Sequence, residues 1–214
     1  MRSGGIERDE AKSATKWAPS AMPLPLNPKS PDATRKRAAP KGRDEEFNMF
    51  HGAERFLFHG KDGLRIDVFF DILTMSHKLD LRGRLELDYP TISLTDLLMT
   101  KLQIVELNEK DVKDMICLLN DHDLADSDQP EKINSKYVAD LCSKDWGVCK
   151  TFTMNLNRIL TNLEKLGSDE KMRARVAEQC RIMLDQIEKV PKSTKWKMRA
   201  KVGEKKRWYQ LPED

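Results

Sequence analysis

The stretch Gly63-Leu64-Arg65-Ile66-Asp67-Val68-Phe69-Phe70-Asp71 sets a carboxylate in the middle of a strongly β-prone run. Side chains alternate between faces along a strand, so Ile66, Val68 and Phe70 share one face and Arg65, Asp67, Phe69 and Asp71 the other. An aspartate at the centre of such a strand is costly unless it is paired, hydrated or bound to a metal. Two roles are open to Asp67. It can be one carboxylate of a site where magnesium ions, held by hard oxygen ligands, clamp the attacking and leaving oxygens of phosphoryl or nucleotidyl transfer. It can equally be the ion-pair partner of Arg65 or another neighbour. Asp71 faces the same way but stands near the strand end, where exposure accounts for it.

A second group lies further along the chain. Lys101 stands beside the apolar stripe of Leu97, Ile104 and Val105. Its stem can lie along that stripe with the ammonium in water, or the ammonium can reach inward to a phosphate as a point charge. Asp111 and Asp114 are three residues apart, on one face of the following helix. An Asp114–Lys101 tie between the two helices would explain both residues without catalysis. The four histidines, His51, His59, His77 and His122, share no metal-ligand spacing. Near the C-terminus, Lys192, Lys195, Trp196, Lys197 and Arg199, then Lys205, Lys206, Arg207, Trp208 and Tyr209, interleave cations with aromatic rings. That pattern suits RNA or another polyanion, through phosphate contacts and base stacking, and it also suits an exposed basic end.

The elements that must carry these residues follow from periodicity and caps. Residues 1–45 hold repeated proline steps and the cluster Arg35-Lys36-Arg37, with no sustained period. They read as a disordered basic tail. Residues 46–90 read as a β region. It has a strand over 55–59, a hairpin turn at Lys61-Asp62-Gly63, the Asp67 strand, then a loop with one short strand between His77 and Asp88. Residues 91–190 are helical. Ser93 caps a helix carrying Leu94, Leu97, Leu98, Lys101, Leu102 and Val105, and Asn108 caps one that buries Val112, Met115, Ile116 and Leu119. An acidic loop spans 121–128. A short helix covers 135–142, a longer one runs from Asp145 to Gly167, and a third is capped by Ser168 and stopped by Pro191. The last two long helices fit an antiparallel hairpin. The fold class expected is α+β, a β-hairpin followed by a helical region of about five helices, with a basic segment over 191–214.

Composition bounds the class. At 214 residues the chain can build one sizeable core. The net charge is +3, with basic ends around an acidic middle. The cysteines Cys117, Cys142, Cys149 and Cys180 form no C-x-x-C pair. They read as reduced thiols of a cytoplasmic protein, with Cys117, Cys142 and Cys180 packed in the core. No apolar run approaches the length of a membrane helix.

The run from Tyr89-Pro90-Thr91-Ile92-Ser93 through Met99-Thr100-Lys101-Leu102-Gln103-Ile104-Val105 to Asn108-Glu109-Lys110-Asp111-Val112-Lys113-Asp114 resembles a bacterial family of nucleotidyltransferase-like proteins. It is similar to the AbiEii-type toxin nucleotidyltransferases of the polymerase-β-like superfamily. Phe47-Asn48-Met49-Phe50-His51-Gly52 and Arg65-Ile66-Asp67-Val68-Phe69 share the likeness, which covers roughly residues 46–165. The resemblance implies a nucleotidyltransferase sheet followed by helices, NTP as substrate and magnesium as cofactor. It also implies Asp67 as the third metal carboxylate, Lys101 on nucleotide phosphate, and Asp111 and Asp114 ordering the helical side of the pocket. The chain departs from that pattern at its start. The superfamily places a Gly-Gly or Gly-Ser turn before a strand bearing Asp-x-Asp. Here Gly4-Gly5 is followed by Ile6-Glu7-Arg8-Asp9-Glu10, and residues 6–45 hold no Asp-x-Asp. Two of three expected metal carboxylates are therefore missing, and the expectation is a chain with little or no transfer activity of its own. The alternative is a non-catalytic module that binds nucleic acid or protein.

Overall fold

Short-range signals decide most of the architecture, an α+β arrangement of small sheets followed by helices. The computed structural model of the chain describes residues 48–50, 52, 55–60, 63–165 and 169–211. The basic tail over 1–45, the turn residues Lys61 and Asp62, and the helix-ending Gly167 and Ser168 lie outside them.

Strands β1 (Arg55–His59) and β2 (Arg65–Phe69) form an antiparallel hairpin. Gly63 takes φ +82°, the left-handed conformation that favours glycine, and its N–H closes the turn on the Gly60 carbonyl at 3.0 Å. Leu57 pairs with Asp67 and Arg55 with Phe69, so those four side chains share a face. Phe56, Phe58, Ile66 and Val68 take the other face. The strands pack chiefly on each other, and Phe69 is the β2 residue that reaches the core. Two three-residue strands follow, β3 (Ile72–Thr74) and β4 (Lys78–Asp80), where one strand after His77 was expected. The inward pair Leu73 and Leu79, both buried, sets their register.

The helices begin where caps were expected. Helix α1 (Leu94–Leu102) is capped by Ser93, whose hydroxyl accepts from Asp96 N–H, and α2 (Glu109–Asp121) by Asn108, which accepts from Asp111 N–H. Val105 falls beyond α1. Past the helix end, Asn155 donates to the carbonyls of Leu102 and Ile104 at 2.8 and 2.7 Å. The stretch expected as an acidic loop contains β5 (Asp123–Ala125), paired in parallel with β6 (Lys132–Asn134). Three residues are too few for alternation to announce a strand. Helices α3 (Ser135–Lys144) and α4 (Trp146–Asn162) are joined by Asp145, which caps α4. Helix α5 (Glu170–Lys189) starts one residue later than expected, on Asp169, which accepts from Met172 N–H. Helix α5 packs on α2, α3 and α4. Leu98, Met115, Leu119, Phe152, Leu156, Ile159, Val176 and Met183 form the centre of the core.

A sixth helix, α6 (Thr194–Val202), stands inside the basic segment, capped by Ser193. Gly203, at φ +59°, turns the chain out of it. The following residues return to the body. Trp208 N–H donates to Thr151 Oγ1 at 3.1 Å and Gln210 N–H to the Ser76 carbonyl at 2.9 Å. Thr151 also meets Nε2 of buried His77 at 2.8 Å. Burial pushes the His77 pKa below its ordinary 6.5, against the opposing pull of the Asp145 charge. The unfolded chain therefore takes up a proton that the folded chain resists. The His77 contribution to stability is complete above pH 6.5 and is lost as pH falls below it towards the folded value. Urea midpoints should drop over that window, and His77→Gln should flatten the drop. Equal pH slopes for the two proteins would contradict this.

Candidate functional site

The candidate residues fall into two separate places. Asp67, on β2, has a side chain 30% exposed. Arg55 Nε donates to its Oδ1 at 3.0 Å, Arg55 Nη2 contacts the same oxygen, and Arg65 Nε lies 3.3 Å from Oδ2. Burial works against the charge of Asp67, but the hydrogen bonds and charges of Arg55 and Arg65 outweigh it and hold the carboxyl below its ordinary value. Arg65 could be read from the sequence, two positions away on the same face. Arg55 could not, because its diagonal reach depends on the hairpin register.

Lys101, Asp111 and Asp114 do come together. Lys101 Nζ, in the last turn of α1, lies 2.8 Å from Asp111 Oδ1 and 2.9 Å from Asp114 Oδ2 in the first half of α2. Desolvation works against the ammonium, but hydrogen bonds and charge from both aspartates outweigh it and raise its pKa. This tie joins α1 to α2 across the connection that Asn108 ends. Beside it is a cavity of about 290 Å3, lined by Leu97, Lys101, Asp114, Cys117, Leu118, Asp121 and His122. Two carboxylates flank one ammonium there, a charge balance that does not favour an anionic triphosphate.

These residues do not fit a pair of magnesium ions. Guanidinium groups occupy the surroundings of Asp67, and an ammonium stands between Asp111 and Asp114. Among the described residues, no group of three or more His, Cys, Asp or Glu could hold a metal ion.

Three arrangements were not readable from spacing. Arg84, buried, donates through Nε to Asp96 Oδ1 at 2.6 Å and through Nη2 to Asp128 Oδ1 at 3.1 Å, with its guanidinium 3.7 Å from the centre of the Tyr137 ring. Cys142 and Cys149 are both buried, on either side of the α3–α4 junction, whereas Cys117 is exposed. Position 117 lies off the buried stripe of Val112, Met115, Ile116 and Leu119, which corrects its expected place in the core.

The third arrangement is the docked basic segment. Arg199 lies over Trp146, 4.6 Å from the ring centre, and donates to the carbonyls of Gly203 and Lys206, each at 2.7 Å. Trp208 packs edge-on against Trp146, and Trp196 packs against the core. Lys150 pairs with Glu204 at 2.6 Å. The rings are thus spent on packing. Lys195, Lys197, Lys201, Lys205, Lys206 and Arg207 remain exposed, and none has an ion-pair partner among the described residues. No described helix is long and apolar enough to cross a membrane. No protein-family model, curated protein or solved structure matches the chain.

Proposed function

We propose that this chain is a nucleic-acid-binding module, built on a nucleotidyltransferase-like sequence, whose basic C-terminal segment contacts phosphates. One observation carries this reading: six exposed cations, without ion-pair partners among the described residues, stand on a segment that its own aromatic anchors hold against the body. A fixed array of cations displaces counterions from a polyanion without having to order itself first. Because Trp196 and Trp208 are engaged in packing, base stacking adds little. RNA and DNA, single-stranded or duplex, should be bound with little base preference. Four free cysteines suit a cytoplasmic setting. Fluorescence anisotropy with labelled RNA and DNA at low salt tests the reading. Saturable binding of both is expected; no binding at low salt would refute it.

A second reading, nucleotidyl transfer, is favoured by one observation. The three residues that the resemblance assigns to the nucleotide pocket, Lys101, Asp111 and Asp114, are in mutual contact. Lys101 is held between the two carboxylates, and Asp67 is paired with arginines. Incubation with labelled NTPs, magnesium and RNA or protein acceptors should therefore yield no transfer. Robust transfer abolished by Asp67→Asn would establish this second reading instead.

A further inference from the structure

The β1–β2 hairpin is a sheet of its own, and its two outer edges differ. Gly60 N–H donates to the Leu64 carbonyl at 2.6 Å, so the even-numbered residues bond across the hairpin. The odd-numbered residues turn their main-chain groups outwards, because bonded and non-bonded pairs alternate along an antiparallel ladder. On β1 that outward side is closed by Asn48. Its side chain accepts from Leu57 N–H at 2.7 Å and donates to the Leu57 carbonyl at 2.9 Å. On β2 the outward N–H and C=O groups of Arg65 and Asp67 have no partner among the described residues. Further along, Leu81 N–H takes the Asp71 carbonyl at 2.7 Å, so the open edge ends before Asp71.

An unpaired strand edge is a template for another strand, and the side chains along it select which. Leu64, Ile66, Val68 and Phe70 form an exposed apolar row, Ile66 to 45%. On the opposite face, Arg65 and Asp67 carry opposite charges two positions apart. Lysines guard many sheet edges because like charges repel a second copy. This edge instead complements itself. Antiparallel pairing about Ile66 sets Arg65 of each copy opposite Asp67 of the other, as a two-fold axis requires. It also sets Ile66 on Ile66 and Leu64 on Val68. The pairs that exchange hydrogen bonds are then Arg65 with Asp67, the residues whose main-chain groups face outwards. Pairing about Arg65 or about Asp67 would place like charges opposite each other. Pairing about Val68 would need the Asp71 carbonyl, which Leu81 occupies.

We propose that the occupant of this edge is a second copy of the chain, paired through β2, antiparallel about Ile66. The product is a four-stranded sheet in the order β1–β2–β2–β1. Each Arg65–Asp67 pair exchanges both of its main-chain hydrogen bonds. Arg55 already holds Oδ1 of Asp67, while Oδ2 lies 3.3 Å from Arg65 of its own strand, whose side chain is 57% exposed. Oδ2 is therefore the oxygen that receives Arg65 of the second copy. The apolar row beside the edge meets its counterpart along its flank. Asn48 occupies the outer edge of each β1, so the sheet stops at four strands. The paired stretch is short, so association depends on concentration and is not permanent.

The test is sedimentation velocity on the full chain across a dilution series. Wild type should pass reversibly from monomer to dimer as concentration rises. Ile66→Lys sets two ammonium groups opposite each other at the two-fold axis, and association should weaken about tenfold. Ile66 is exposed in the single chain, so the far-ultraviolet circular dichroism should not change. Arg65→Asp and Asp67→Arg should each associate weakly alone. Their mixture should recover the dimer, because each chain supplies the charge that the other lacks. Cysteine fixes the register. In a Cys117→Ser background, Ile66→Cys should cross-link under mild oxidation, and Asp67→Cys should not. A chain that stays monomeric throughout the series would overturn the proposal. Protection of its Asp67 amide from hydrogen exchange would then show that the chain covers its own edge. A dimer that Ile66→Lys leaves intact would also overturn it, by placing the interface elsewhere.

Discussion

Replacing Arg84 by methionine should lower the folding free energy by about 3–5 kcal/mol, the loss typical of breaking a buried ion pair by removing one partner. Arg84 reaches α1 through Asp96, the loop before β6 through Asp128, and α3 through the face of Tyr137. Asp96 is 1% exposed, and its second oxygen accepts from Ser93 Oγ at 2.5 Å. Without Arg84 its charge has no compensation and no route to water. Asp128 is exposed and can be rehydrated, so Asp96 bears most of the loss. The orphaned charge can be removed separately. In the double variant Arg84→Met/Asp96→Asn, the Ser93 bond can persist while the buried charge disappears, and the deficit should shrink by about 1–2 kcal/mol or more. Urea denaturation at neutral pH measures both. A single variant within about 1 kcal/mol of wild type would show that Arg84 is not the clamp between these elements. Added salt should change the result little, because the pair is shielded from solvent ions.

Nucleic-acid affinity should fall about a thousandfold between 50 and 200 mM salt if all six exposed cations engage phosphates. The corresponding slope of log K against log salt on duplex DNA is about −5, since each neutralised phosphate contributes about −0.9. Lys195, Lys197 and Lys201 are presented by α6, and Lys205, Lys206 and Arg207 by the turn after it. Their side chains are long and hydrated, so the favourable term is counterion release rather than desolvated contact. The docked aromatic rings keep the backbone of the array in place. A flat salt dependence would mean that binding, where seen, arises from another surface.

The helical half of the fold was legible because local chemistry determines it. Ser93, Asn108 and Asp145 each accept the N–H three residues on, and the stripe Val112, Met115, Ile116 and Leu119 is buried as its period requires. The cap of the last long helix was expected on Ser168, and its cap-competent neighbour Asp169 makes the bond. The parallel pair β5–β6 was hidden for a different reason. Its strands are three residues long, too short for alternation to stand out, and the acidic residues around Asp123 resemble a solvated loop. Helix α6 was masked by its charge, since only Trp196 marks its inward face.

The candidate site divides in the same way. The tie of Lys101 to Asp111 and Asp114 follows from three-residue spacing on one helix facing a neighbouring one. The Arg55–Asp67 pair needs a hairpin register. The Arg84–Asp128 pair joins residues 44 apart, and its loops carry no period. Cys142 and Cys149 are seven positions apart, which in one continuous helix would place them about two turns from each other. The break at Asp145 puts them on two different helices instead.

The most direct measurement compares labelled RNA binding at fixed low salt for three proteins: wild type, Lys195→Gln/Lys197→Gln/Lys201→Gln, and Asp67→Asn. The triple variant should bind at least about tenfold more weakly. Its salt slope should be shallower by roughly 0.7 for each single-strand phosphate that it no longer neutralises. Asp67→Asn should match wild type, because that carboxylate balances Arg55 and Arg65 far along the chain from α6. Unchanged affinity in the triple variant, or a weakening confined to Asp67→Asn, would contradict the assignment of binding to the C-terminal segment.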